Sequence, residues 1–399
     1  MRPMLRSWVQ RFGAAGLAAA VLVASAPPRA QAADPFEINV ILSLTGPGAF
    51  LGKSEQSAIA LVQDRVNKSG GIGGRPIDFV IADDESSPQV DVQLANALMS
   101  KHASVIVGPS LAGGCNAIQA LLKSDGPLLY CLSAGFHPPK GSYGFTYGVS
   151  TGDLIAVNVR YFQDRGWKKI ALITSTDASG QDGEAGLDAA LAQPEFKDMT
   201  LVDREHYAVS DQTVTAQLTR IKASGAQAII AWGTGSPIGT VLHGYADVGL
   251  DLPIGVSASN LIYSEMKQFA SIVPAGFMSA GLPCVAPDSI PPGDLATAVK
   301  QFVDAFKAVG VHADVAQAIG WDPPIILLGA FKKLGVAATP QQLRDYLLTL
   351  HGFSGANGTY DFRDGSQRGL TEKNGIMVRW EAAQDTWVAI SKFGGAPLK

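Results

Sequence analysis

Short apolar strands alternate with helical segments along almost the whole chain, and this order restricts the possible folds more than any other feature. Residues 36–44 alternate and are rich in Ile, Val and Leu, the pattern of a first strand. Thr45-Gly46-Pro47-Gly48 is a turn signal, and helical spacing over 54–67 stops at Gly70-Gly71 and Gly73-Gly74. A strand is expected over 77–82, then a helix opened by Pro88 and running to about Lys101. A short buried strand at 105–107, a loop over 108–114, a helix to Lys123 and a strand at 128–132 complete a β-α-β-α-β unit. That order is the mark of an α/β fold with a parallel sheet covered by helices on both faces.

The pattern then restarts. Helices are expected at 153–165, 181–192, 214–224 and 238–248, and strands at 170–174, 201–207, 228–232, 254–256 and 277–282. A polar, proline-rich link over 283–292 leads to helices at 295–309, 315–334 and 340–349. The tail changes character, and 375–380 with 387–390 read as a β-hairpin.

Arg2, Arg6 and Arg11, the apolar run 13–26 and Ala30-Gln31-Ala32 form the three parts of a secretory signal peptide over 1–33, cleaved near 32 or 33. That run is short for a bilayer span, and later apolar stretches are interrupted by Asp, Lys, Gly or Pro. The expectation is an exported chain without stable membrane insertion. Loss of Arg2, Arg6, Arg11 and Arg29 leaves 27 basic against 35 acidic residues, a net charge of −8. Such a balance argues against nucleic acid and against anionic membranes as partners. Roughly 365 mature residues exceed what one core usually supports, so two domains are expected.

The chemical inventory points away from catalysis. GxSxG, Walker and HExxH motifs are missing. The run Gly70–Gly74 follows a helix and precedes a strand, the reverse of a nucleotide loop, and reads as a turn. No two of the six histidines stand at metal-ligand spacing, so neither a metal nor an organic cofactor is expected. Asp83-Asp84-Glu85 is open to three readings: a cation site, a capping group or a solvated face. Three cysteines cannot build a disulfide scaffold; a Cys115–Cys131 bridge is permitted by a helix start beside a strand end, without being required. Ligands in open parallel sheets sit beyond the carboxyl ends of the strands. The loops to inspect are therefore 45–53, 83–88, 108–114, 133–138, 174–180, 233–237 and 257–262. His137 is the histidine that falls in one of them, and Trp232 and Trp321 suit either a core or a flat ligand.

Several of these segments together resemble the substrate-binding proteins of ABC importers, in particular the branched-chain amino acid binding family with the type I periplasmic binding fold. The matching pieces are Ser43-Leu44-Thr45-Gly46-Pro47, the run 67–74 with its four glycines, Asp83-Asp84-Glu85-Ser86-Ser87-Pro88, Val107-Gly108-Pro109 and the run 245–250. The resemblance implies two Rossmann-like lobes joined by a hinge of three crossover segments. Lobe one would hold 34–151 plus 283–354, and lobe two 152–282 plus 355–399. It also implies a periplasmic monomer that closes over a small ligand and presents its closed shape to the permease subunits.

The departures from the family pattern shape the ligand expectation. The places that hold an α-carboxylate in amino acid binders fall at Ala112-Gly113 and Phe136, leaving backbone N–H groups of Gly113 and Gly114, aided by His137 beside Gly135. The aromatic wall of lobe two falls at Ser179 and Gly235, and the acid that meets the ammonium falls at Ser257. A slip in that matching would give the ammonium role to Ser259, Asn260 or Glu265. Phe50 or Leu51 takes the place of the first-loop aromatic residue, and Trp321 that of a tyrosine. Phe136 and Trp321, with Trp232, would contribute apolar or stacking contacts. The expected ligand is a carboxylate without an α-amino group, of aromatic or other hydrophobic type. A hydrophobic amino acid, and a sensor role presenting the lobes to a receptor, are the alternatives.

Overall fold

A computed structural model describes residues 34–398; the signal peptide expected over 1–33 lies outside the described residues. The strands are β1 (Phe36–Leu42), β2 (Ile77–Asp83), β3 (Val105–Val107), β4 (Leu128–Cys131), β5 (Gly144–Thr146), β6 (Lys169–Ser175), β7 (Thr200–Tyr207), β8 (Ala228–Trp232), β9 (Ile254–Val256), β10 (Phe277–Gly281), β11 (His351–Ser354), β12 (Thr359–Asp361), β13 (Ile376–Glu381) and β14 (Thr386–Phe393). The helices are α1 (Ala49–Lys68), α2 (Pro88–Ser100), α3 (Ala112–Gln119), α4 (Thr151–Asp164), α5 (Ala178–Leu191), α6 (Thr215–Ala223), α7 (Ile238–Asp247), α8 (Tyr263–Gln268), α9 (Asp294–Lys307), α10 (Val315–Leu334) and α11 (Pro340–Thr349).

Two large sheets organise them, beside a two-stranded pair of β11 and β12. The first has the order β2-β1-β3-β4-β5 and is wholly parallel; the second has the order β14-β13-β10-β9-β8-β6-β7, with the C-terminal hairpin added antiparallel to β10. Period-two alternation explains how the first sheet feeds two cores. In β1, Ile38, Val40 and Leu42 face the core that α1 and α10 cover, while Ile41 faces the other side. On that side Ile106, Leu129 and Cys131 meet Ala95 of α2 and Cys115 and Ile118 of α3. Cys115 and Cys131 are joined there by a disulfide with Cα atoms 5.9 Å apart.

The chain passes between the sheets three times. It leaves β5 for α4, returns after β10 through two 3-10 turns, and crosses last between Leu370 and β13. Residues 355–370 stay with the first sheet: the Phe362 ring lies 5.8 Å from that of Phe145, and Thr146 N donates to Gln367 O at 3.0 Å. The short β5, β11, β12 and α8 escape sequence reading because Gly, Ser, Thr, Asp, Glu, Lys, Gln or His interrupt them, whereas the equally short β3 reads as an unbroken Val-Ile-Val run.

Helix starts follow side-chain capping. Ser87 caps α2, Ser150 caps α4, Asp177 caps α5, and Asp314 with Gln317 forms a capping box on α10. Helix α1 begins at Ala49, five residues before its expected start. Gly52 permits this, since a Cβ there would lie 2.1 Å from Ser43 O. The close approach places Leu51 at the carboxyl ends of the strands. Asp83 resolves as a loop brace: its carboxylate accepts from Leu44 N, Thr45 N, Thr45 Oγ1 and Glu85 N.

Candidate ligand site

The carboxyl ends of the two sheets face each other across a narrow cavity of about 20 Å³, closed down almost to the size of a single water molecule. The first sheet contributes Leu51, Ser110 after β3, Leu132 to Gly135 after β4, and Tyr147 after β5. The second contributes Thr151 and Leu154 of α4, Ser179 of α5, Trp232 and Thr234 at the end of β8, and Ser257 to Ser259 after β9. The position is the one that parallel α/β sheets offer to ligands.

The lining combines seven Ser or Thr residues and Tyr147 with an apolar wall of Leu51, Leu132, Leu154 and Trp232, and holds no charged side chain. Its hydroxyls are partly committed. Ser110 Oγ donates to Glu55 Oε2 at 2.5 Å, and Ser179 Oγ donates to Asp177 Oδ1 at 2.9 Å. Ser257 Oγ and Ser259 Oγ lie 2.9 Å apart, and Ser259 Oγ donates to Thr234 Oγ1 at 3.3 Å. Ser110 Oγ also accepts from Ser43 N at 3.2 Å, so it keeps one lone pair and Ser179 two for a ligand donor, while the Ser257–Ser259–Thr234 chain has hydroxyl protons that can rotate toward an acceptor. Among the described residues, no group of three or more His, Cys, Asp or Glu side chains could hold a metal ion.

The rim is closed. Ser236 N donates to Pro47 O at 3.1 Å, joining loops of different sheets, and His137 Nε2 of the loop after β4 lies 2.6 Å from Asp182 Oδ1 on α5. Gly235 has φ +84°, and a Cβ on it would lie 2.3 Å from Pro47 O.

Of the expected site residues, the cavity brings together Leu51, Gly135, Ser179, Trp232 and Ser257. Phe50 packs against the core instead. Ala112, Gly113 and Gly114 line an adjoining, roomier pocket with Asp91, Asp177 and Ala178, which shares Ser179 and Thr234 with the cavity. His137 and Gly235 belong to the rim. Phe136 is a correction: its ring lies in the core between the first sheet and α2 and α3, because the turn after β4 sends neighbouring residues to opposite sides. Trp321 is a second correction. Its ring packs 5.6 Å from Phe302 and 5.8 Å from Phe306, under the Arg65 guanidinium, on a side of α10 away from the cavity.

Sequence reasoning missed Ser110, Ser133, Tyr147, Thr151, Leu154 and Thr234. Ser110, Ser133 and Thr234 lie in loops it marked, so hydroxyl residues at strand ends were an available signal. Tyr147, Thr151 and Leu154 lie on the first crossing, which is invisible without β5.

Asn260 and Glu265, the alternative ammonium partners, sit behind the wall. Asn260 Nδ2 donates to Gly235 O and Glu265 Oε2, both at 3.3 Å. Burial raises the Glu265 carboxyl to about 8, and its Oε2 is already engaged by Asn260. Burial raises Glu55 to about 8 against the opposing Ser110 bond, Asp314 to about 7 and Asp322 to about 6. Raised folded-state values imply stability that is full below the unfolded carboxyl range and lost as pH rises through them. The melting temperature should therefore rise as pH falls from 8 to 5. Carboxyls with lowered values, such as Glu184, Glu195 and Glu205, lose their contribution only at more acid pH. Glu55→Gln keeps the acceptor for Ser110 and should raise the melting temperature at pH 8 more than at pH 5. Scanning calorimetry that finds a flat or opposite pH trend contradicts the assignment.

The periplasmic binding protein family matches residues 35–385 of this chain. The chain belongs to that family. Its fold is that of the type I periplasmic binding proteins. The Leu/Ile/Val-binding protein BraC3 of Rhizobium johnstonii is 24% identical over 376 residues, covering 92% of this chain and 97% of its own. An extracellular ligand-binding receptor of Rhodopseudomonas palustris HaA2 superposes with a TM-score of 0.79 at 22% identity, over 89% of this chain and 99% of its own. An ABC transporter solute-binding protein of R. palustris, solved in complex with benzoate, superposes with a TM-score of 0.74 at 19% identity, over 91% and 97%. Members of the family are substrate-binding proteins rather than enzymes; they capture small molecules for ABC permeases. Among the described residues, no helix is long and apolar enough to cross a membrane.

Proposed function

We propose that this protein captures a small hydrophobic carboxylate without an α-amino group in the cleft between its lobes, in the periplasm, and delivers it to the permease of an ABC importer. The observation that carries the ligand reading is the lining itself: hydroxyls and an apolar wall with Trp232, and no acid to meet an ammonium. A buried ammonium without a partner is strongly unfavourable, whereas a carboxylate can accept several hydroxyl protons. The R. palustris protein solved with benzoate supports the same reading by kinship of fold. Closure would bury the ligand between the lobes and complete the surface that the permease recognises.

The likeness to BraC3 over nearly the full chain equally favours a second reading, a branched-chain amino acid ligand. A thermal-shift and calorimetry panel separates them by pairing leucine, isoleucine and valine with benzoate, phenylacetate and 4-methyl-2-oxopentanoate. The expected result is tight binding of a deaminated acid. Tight binding of leucine or valine, with no response to any deaminated acid, overturns the proposal in favour of the second reading.

A further inference from the structure

We infer that Arg368, buried behind the Gly135 and Tyr147 wall, supplies the positive charge that makes this cleft select a carboxylate; the inference rests on the capture reading above. Arg368 is 6% exposed, and its Nη2 donates to Phe136 O at 2.5 Å. Its Nη1 is buried without a hydrogen-bond partner. Among the described residues, no carboxylate forms an ion pair with it. A guanidinium always carries its charge in practice, and burying it without a contacting anion is strongly unfavourable. Burial pushes Arg368 down to about 10, a value at which it remains a cation at neutral pH.

Its location gives the charge a use. Phe136 O, the acceptor of Nη2, belongs to the residue after Gly135, and Gly135 lines the cavity. On the other side, Thr146 N donates to Gln367 O, which sets Arg368 beside Tyr147, a second lining residue. Among the described residues the Tyr147 hydroxyl has no hydrogen-bond partner, and burial keeps it protonated, so it is a free donor at the wall. Asp153 and Asp182 also feel the Arg368 charge, from beyond contact distance. Asp182 Oδ1 is taken by His137, and its Oδ2 is a buried atom without a partner. The cation thus has no carboxylate in contact and one unpartnered donor, next to a cavity whose own side chains are neutral. A ligand carboxylate there brings the cation the close anion that it lacks; an amide of the same shape does not.

The test compares Arg368→Gln and Arg368→Lys with the wild type by calorimetry. The probe is the tightest binder among benzoate, phenylacetate and leucine, set against its primary amide: benzamide, phenylacetamide or leucinamide. The wild type should prefer the acid by ~100-fold, Arg368→Gln should lose about tenfold or more on the acid and little on the amide, and Arg368→Lys should retain most of the preference. An unchanged acid-to-amide ratio in Arg368→Gln overturns the inference while leaving capture intact. No binding of any panel acid overturns the capture reading and this inference with it. Leucine as the tightest binder overturns the deaminated ligand alone, and the leucine–leucinamide ratio still judges Arg368. Should Arg368→Gln fail to fold, Asp153→Asn removes a carboxylate that competes for the same charge. It should tighten acid binding about threefold without changing the amide, and an unchanged ratio there overturns the inference equally.

Discussion

Gly235→Ala should weaken ligand binding on the order of 100-fold, or ~3 kcal/mol, while leaving each sheet folded. The glycine has φ +84°, and a Cβ on it would sit 2.3 Å from Pro47 O and 3.1 Å from the carbonyl carbon. Those atoms belong to the loop after β1, whereas Gly235 follows β8, so the collision exists only when the two loops meet. Ser236 N donates to the same Pro47 O at 3.1 Å, and this bond would be lost as the rim moves apart. The positive φ adds ~1–2 kcal/mol of backbone strain, which is present in open and closed forms alike. Gly225→Ala isolates that part: Gly225 has φ +75° and no atom near its missing Cβ. The control should lose stability and keep affinity. Small-angle scattering of Gly235→Ala with ligand should give a larger radius than the wild type. Wild-type affinity in Gly235→Ala would show that this rim contact contributes nothing to capture.

Trp321→Ala should destabilise the protein by ~3–5 kcal/mol, as large-to-small changes at buried aromatic sites do, with ligand affinity unchanged. The ring is 6% exposed and lies against the edges of Phe302 and Phe306, so its removal leaves a void between α9 and α10. It also removes the face over which the Arg65 guanidinium sits at 5.4 Å from the ring centroid. Trp232 is the indole that lines the cavity, and Trp232→Phe is the matching change that should lower affinity. Denaturant unfolding and calorimetry on the two variants separate the roles. A stable Trp321→Ala that binds poorly would return this residue to the site.

Local patterns were legible in the sequence. The period-two alternation of β1 and the apolar runs of β8 and β9 locate parallel strands, since each side chain's direction follows from position along the strand. Helices α10 and α11 match their expected bounds, Val315–Leu334 and Pro340–Thr349, and each starts at a capping box. The loops at the carboxyl ends of the strands were marked as ligand loops for the same topological reason, and they do hold Ser110, Ser133 and Thr234.

The tertiary structure decided which side chains in those loops reach the cavity. After β4, Gly135 lines it and Phe136 turns into the opposite core; sequence proximity cannot assign that difference once the strand ends. Matching positions place Trp321 in the cleft, but its direction depends on how α9 and α1 flank α10. Arg368 lies 232 residues from Phe136 in the chain and reaches its carbonyl only because residues 355–370 fold back on the first sheet. By itself, then, the sequence determined the alternating elements, the two sheets and the strand ends where a ligand belongs. It carried that information because backbone pattern and capping act within a few residues. Which hydroxyls, which indole and which buried cation surround the ligand was decided only by long-range packing, which places side chains from distant segments against one another.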